Sequence, residues 1–218
     1  LGHAEILITD IPKDSPHNLS LNEIHRGALR AKDLVKQILT FSRQEISELK
    51  LMRMQPTVKE ALKLIRSSIP ATITMEIDID EDCGIIKADP TQIHQIVMNL
   101  VTNAYHAMQE TGGEMRVRLK EIKLDQNQIH SEELIPGNYI CLIVSDTGMG
   151  MNDEIKQKIF DPFYTTKEQG KGTGMGLSVV HGIVESHGGM ILAESSPGGG
   201  ATIRIYFPII VDTEVQDR

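Results

Sequence analysis

The sequence predicts an α+β fold: a mixed sheet covered by helices on one face, preceded by a helical hairpin that belongs to a dimeric four-helix bundle. Three features point there. Residues 18 to 49 place apolar or small side chains at alternating spacings of four and three, strand-like alternation and helical periodicity interleave after about residue 50, and glycine crowds into one stretch. Of 18 glycines in 218 residues, 12 fall between Gly148 and Gly200. The composition, 40% hydrophobic and 24% charged, is that of an ordinary globular protein and excludes a disordered or membrane-spanning chain.

The hairpin comes first. Leu1 to Ile11 reads as the end of a helix, closed by the turn formers Pro12, Asp14, Ser15 and Pro16. The long helix that follows carries a seam at Ile24, Ala28, Ala31, Val35, Ile38 and Ser42, widened by Leu21, Leu34 and Phe41. Two helices cannot cover so wide a seam, so a second copy of the hairpin is expected to complete a four-helix bundle. Domain boundaries follow at about 1–50 for the hairpin, 51–210 for the α/β part and 211–218 for a tail.

In the α/β part, Val58 to Ile69 is helical by its spacing, and Ile73, Met75, Ile77 and Ile79 alternate as a strand does. Thr91 to Gln109 is helical again. Met115, Val117 and Leu119 alternate, while Ile140 to Val144 is the unbroken apolar run of a buried strand. Leu177 to Ser186 reads as a helix, and Met190 to Ala193 and Ala201 to Phe207 close the chain as two strands.

The net charge of −8 lies wholly after residue 50. An acidic chain without a basic stripe makes nucleic acid an unfavourable partner. Cys83 and Cys141 stand alone in apolar, strand-like runs, which indicates two reduced core thiols in a cytoplasmic setting and neither disulfide nor zinc. No signal peptide or long apolar run occurs, and a chain that begins at Leu1 is expected to be a piece of something longer.

Four elements carry chemistry. On the helix from Thr91, a polar strip of Gln95, Asn99, Asn103 and His106 runs beside the apolar face. Two asparagines four residues apart bring two neutral, hard amide oxygens to one point, a set suited to Mg²⁺ that keeps waters and bridges to phosphates. Alone, such a pair is more often plain polar surface. Asp146-Thr147-Gly148-Met149-Gly150 follows the buried strand; its carboxylate can accept from an exocyclic amine such as that of adenine, where the bland alternative is a tight turn. Lys171-Gly172-Thr173-Gly174-Met175-Gly176-Leu177 opens a helix, and its backbone N–H groups can cradle phosphate. It is neither a Walker loop nor a Rossmann turn. Between them, Phe160 to Lys167 describes an aromatic anchor followed by a lid, with Phe160 and Phe163 as the anchor and Lys167 facing an anion.

In this order and spacing the four elements resemble the ATP-binding domain of sensor histidine kinases, of the superfamily shared with gyrase, chaperone and mismatch-repair ATPases. The resemblance covers about residues 50 to 210. It implies an asparagine box at Gln95 to Ala107 whose Asn99 and Asn103 hold Mg²⁺, and a first glycine box whose Asp146 reads adenine above Gly148 and Gly150. It implies a phenylalanine box at Phe160 to Lys167, and a second glycine box around the phosphates spanning Lys171, Gly172, Thr173, Gly174, Met175, Gly176 and Leu177. It also implies a supporting role for Thr202 beside Asp146, and a phosphate contact for His106, where some relatives carry Lys or Arg. In that family the parts sit on a two-layer α/β sandwich.

Arg30 to Arg43 resembles the second helix of the kinase dimerisation domain, which implies a homodimer and a response regulator receiver domain as partner. The phosphoaccepting histidine of that family is followed by Asp or Glu. None of the eight histidines here is followed by an acid, so the resemblance places the acceptor upstream of Leu1. A non-kinase ATPase or clamp of the same superfamily, and a non-catalytic dimerising scaffold, stay open beside the kinase reading.

Overall fold

The computed structural model describes residues 2–12, 15–25, 27–28, 49–125, 135–167 and 173–210. The chain divides into two compact units, Leu1–Ile46 with Thr165–Thr173, and Ser47–Tyr164 with Gly174–Arg218. In the first, α1 (Gly2–Asp10) is followed by a turn in which the Pro12 carbonyl accepts from the Ser15 N–H at 2.9 Å and from Asn18 Nδ2 at 2.8 Å. These two bonds stand just before α2 (residues 18–25), and two successive helices are consistent with the expected hairpin. Ile24, a seam residue, is exposed. The seam positions Ala31, Leu34, Val35, Ile38, Phe41 and Ser42 lie outside the described residues.

The second unit holds a two-stranded ribbon, β1 (Lys50–Met52) with β3 (Ile86–Ala88), and a five-stranded sheet. The sheet order is β2 (Ile73–Ile79), β4 (Gly113–Leu124), β5 (Gly137–Asp146), β7 (Ala201–Pro208), β6 (Met190–Ser195). β2 and β4 are parallel and the other pairs antiparallel, the mixed sheet that the sequence predicts.

Alternation decides which face meets the helices. Met115, Val117 and Leu119 of β4, Ile140, Leu142 and Val144 of β5, and Ile203, Ile205 and Phe207 of β7 share a core with the helices. Against them pack α3 (Met54–Arg66) through Val58, Ala61, Leu62 and Ile65, α4 (Pro90–Ala107) through Ile93, Ile96, Val97, Leu100 and Ala104, and α6 (Gly176–Ser186) through Val180, Ile183 and Val184. The i, i+3, i+4, i+7 spacing in α3 is what makes one apolar stripe. Burying a side chain such as Phe207 contributes about 1.5–3 kcal/mol.

The opposite face carries a set of ion pairs. Arg116 pairs with Glu76 at 2.5 Å and Glu114 at 2.7 Å, Lys120 with Asp78 at 3.0 Å, and Arg204 with Glu194 at 2.5 Å, with a small apolar cluster of Tyr139, Cys141, Met190 and Tyr206 at one end.

Several local features differ from the sequence reading. Ile77 is 48% exposed because β2 is an edge strand with little above it. Cys83 is buried in the loop before β3 rather than in a strand. β1, β3 and the six-residue α5 (Asp153–Lys158) are too short to show a period, and no pattern announced them. No helix among the described residues is long and apolar enough to cross a membrane.

Candidate functional site

α4 brings the polar strip to the site. Asp89 caps it, its Oδ1 accepting from the Thr91 N–H at 2.8 Å, and Pro90 occupies the first turn where no N–H is missed. Gln95, Asn99, Asn103 and His106 are all half-buried along one side. Neither Asn99 nor Asn103 makes a side-chain hydrogen bond with the described residues, so both amides are available to a ligand.

α6 delivers the second group. Its first residue lies against the asparagines: a Cβ on Gly176 would stand 3.4 Å from Asn99 Oδ1 and 3.6 Å from Asn103 Nδ2. Met175, at the N-cap, provides no capping side chain, and its own side chain is buried. An uncapped first turn leaves its N–H groups and the positive end of the helix dipole open beside two amides.

The third group sits at the end of β5. Asp146 Oδ1 accepts from the Gly148 N–H at 2.9 Å, and the carboxylate also accepts from the Ala201 N–H. Burial holds the Asp146 pKa above the ordinary carboxylate range, and the two amides pull it partly back. The loop after it is fastened on two sides. The Met149 N–H donates to the Ala107 carbonyl at 3.2 Å, and the Gly198 N–H donates to the Met149 carbonyl at 2.7 Å. A side chain at Gly148 would stand 2.6 Å from the Ala107 carbonyl oxygen, so only glycine permits this approach to α4.

Thr202 is placed differently from the expectation. Its hydroxyl donates to Ser145 Oγ at 3.0 Å, and it alternates with Ile203, which faces the core. Ala201 is the residue opposite Asp146, and one step along a strand turns a side chain to the other face. Asp146 is therefore supported by the Ala201 backbone.

The phenylalanine segment also departs from a paired anchor. Phe160 packs on the His181 ring, centroids 5.2 Å apart, whereas Phe163 is 63% exposed and adopts a φ of 68°. Gly174, at φ 67°, lies directly on that backbone: a Cβ there would overlap the Phe163 carbonyl and stand 2.7 Å from the Tyr164 carbonyl oxygen. Gly174 thus meets Phe163 and Tyr164 in a contact that only glycine allows.

The other expected residues are accounted for individually. His106 Nδ1 lies 3.3 Å from Gln109 Oε1. Leu177 is half-buried against the core. Gly150 lies in the fastened loop after Asp146. Within the first unit, Lys167 is half-buried with its N–H donating to Thr165 Oγ1 at 3.2 Å, and desolvation lowers its pKa. Thr173 is half-buried. Lys171 and Gly172 lie outside the described residues.

Residues 88–210 match the family described as histidine kinase-, DNA gyrase B- and HSP90-like ATPases. The chain belongs to this family. Among curated relatives, it is 34% identical over 98% of its length to the sensor kinase CckA of Brucella abortus (strain 2308), of which it spans 23%. It spans between 23% and 35% of the first three such relatives. Among solved structures, the catalytic domain of the histidine kinase ThkA is 28% identical, with a TM-score of 0.58 over 74% of this chain and 95% of that one. ThkA in complex with the response regulator TrrA shares the fold, with a TM-score of 0.66 over 96% of this chain and 56% of that one at 24% identity. The mixed sheet under its helices is thus the family's catalytic-domain fold.

Among the described residues no cluster of His, Cys, Asp and Glu could hold a metal ion. The donors that do fit one are the amides of Asn99 and Asn103. Two neutral oxygens without a carboxylate suit an Mg²⁺ that arrives with phosphate and keeps part of its water shell.

Proposed function

We propose that the second unit binds ATP with Mg²⁺ and is the catalytic domain of a sensor histidine kinase. The observation that supports this best is the uncapped start of α6 beside Asn99 and Asn103, two half-buried amides without side-chain partners among the described residues. In this reading Asp146 accepts from the adenine amino group, its carboxylate oriented by the Gly148 and Ala201 N–H groups. The first-turn amides of α6, with those of Gly174 to Gly176, hold the phosphates. Asn99 and Asn103 orient Mg²⁺, which offsets phosphate charge when bound. The resemblance also gives Lys167 and Lys171 a role in neutralising phosphate charge, and His106 lies at the end of the polar strip of α4.

Phosphoryl transfer asks the protein mainly for positioning and charge neutralisation, and these residues provide both. The phosphoacceptor is not among the eight histidines of this chain, since none precedes an acid. In the complete kinase the phosphoryl group passes from ATP to that histidine and on to an aspartate of a response regulator receiver domain. The hairpin forms a homodimer, and the domain works in the cytoplasm.

This chain is therefore expected to bind ATP without phosphorylating itself. Incubation with γ-labelled ATP checks it: acid-labile, base-stable label on the chain would refute the assignment of the acceptor, and no heat of ATP binding by calorimetry would refute the site.

A further inference from the structure

His187, directly after α6, is only 7% exposed, and both of its ring nitrogens are engaged. Nδ1 lies 2.7 Å from the Ile183 carbonyl oxygen and 3.2 Å from Ser186 Oγ. Nε2 accepts from the Asp89 N–H at 3.0 Å. A carbonyl can only accept and a backbone N–H can only donate, so the proton sits on Nδ1 and one neutral tautomer is fixed. The ring meets Phe207 edge-on at a centroid distance of 6.0 Å, which fills the remaining space around it.

The Asp89 bond joins positions 98 residues apart, the end of α6 to the N-cap of α4. At the far end of the same two helices, Gly176 lies against Asn99 and Asn103. α6 has 11 residues, which at about 1.5 Å each puts roughly 16 Å between its two ends. Val180, Ile183 and Val184 hold α6 on the core by apolar contacts, which leave small rotations open, and over that length a small rotation about the His187 end moves the far end by an ångström or more.

We propose that His187 is a positioning residue for nucleotide binding: its Nε2 bond to the Asp89 N–H fixes α6 against α4 and holds the open first turn of α6 at the reach of Asn99 and Asn103. The proposal rests on the ATP-site reading given above. It separates two functions of one ring. Nδ1 closes the end of α6 on itself, whereas Nε2 alone crosses to α4.

Two substitutions divide those functions in the 218-residue chain. His187→Asn retains a donor at the place of Nδ1 but cannot reach Asp89. His187→Gln retains an acceptor near the place of Nε2 and loses the ring donor. Calorimetry with Mg·ATP is expected to show His187→Asn weakened about tenfold and His187→Gln within about threefold of the unaltered chain, as the loss or retention of one hydrogen bond to a partly buried amide requires. A purely structural role would instead lower affinity in step with melting temperature in both variants. Equal weakening of the two, or unchanged affinity in His187→Asn, overturns the proposal. Failure of the unaltered chain to bind ATP overturns the site reading itself, and the proposal with it. Should His187→Asn not fold, nitrogen NMR of the unaltered chain decides: a coupling across the hydrogen bond between Nε2 and the Asp89 amide is expected, and its absence refutes the clasp.

Discussion

The starts of α4 and α6 are two solutions to one problem. Each helix begins with N–H groups that lack partners within the helix and with the positive end of its dipole. At α4 the protein closes that end itself: Asp89 accepts from the Thr91 N–H, Pro90 removes one donor, and His187 takes the Asp89 N–H. At α6 it supplies no side-chain cap and places alongside two amides that are unpaired among the described residues. The quenched end contributes to stability and the open end is available for binding. Under the proposed function, a missing cap marks a binding end where the neighbouring side chains also lack partners among the described residues.

The comparison breaks most clearly at Asn103. Asn103→Ala is expected to lower Mg²⁺-dependent ATP affinity by about 10- to 100-fold while leaving the fold intact, read by calorimetry with and without Mg²⁺. Unchanged affinity would refute the metal assignment.

Asp146→Asn follows, with loss of ATP binding and a pH signature. Burial raises the folded pKa of Asp146, so the favourable contribution of its protonated form is complete below the ordinary carboxylate pKa and is lost as pH rises through the raised one. Asparagine does not titrate. The melting temperature of the variant relative to the unaltered chain should therefore climb as pH rises from below the ordinary carboxylate pKa through the raised one. A difference that stays flat across this range would contradict the buried carboxylate.

Gly148→Ala should cost stability, since its Cβ would stand 2.6 Å from the Ala107 carbonyl oxygen and push the Asp146 loop off α4. Denaturant unfolding should show a loss of at least about 1 kcal/mol, of the size found when overpacking shifts backbone.

Asp89→Ala sharpens the contrast from the closed side. It removes the cap while sparing the backbone N–H that His187 uses, so about 1 kcal/mol of stability is expected to be lost with little change in ATP affinity. A large fall in affinity would show that the two helix starts are not divided in function.

The smallest effect is expected at Cys141. Burial pushes its thiol up to about 12, against the lowering influence of Arg204 and the Tyr206 hydroxyl. Thiol reagents at pH 8 should leave Cys141 unmodified until the chain is denatured.

Much of this was legible before any coordinates. The alternations at Met115 to Leu119 and Ala201 to Phe207 became β4 and β7, and the polar strip of α4 lies where its period put it, because period and apolarity are local properties of the chain. The sequence groups Phe163 with Phe160 as an anchor, yet a left-handed backbone turns it outward. The family resemblance implies a supporting role for Thr202 beside Asp146, yet the register of β5 and β7 sets Ala201 opposite Asp146 and Thr202 opposite Ser145. A signal for His187 was present, a histidine closing a helix before two glycines, but a sequence does not show that its ring lies within reach of Asp89.

The sequence by itself determined the kinds of element, the apolar face of each helix and the four groups of residues that resemble a nucleotide site, since these depend on spacing along one segment. Only the tertiary structure decided which sheet face Thr202 occupies, that α6 starts without a cap against Asn99 and Asn103, and that Ala107 demands a glycine at Gly148. Those outcomes depend on strand register and on the packing of segments far apart in the chain, where a step of one residue reverses a side chain and a few tenths of an ångström decide whether a Cβ fits.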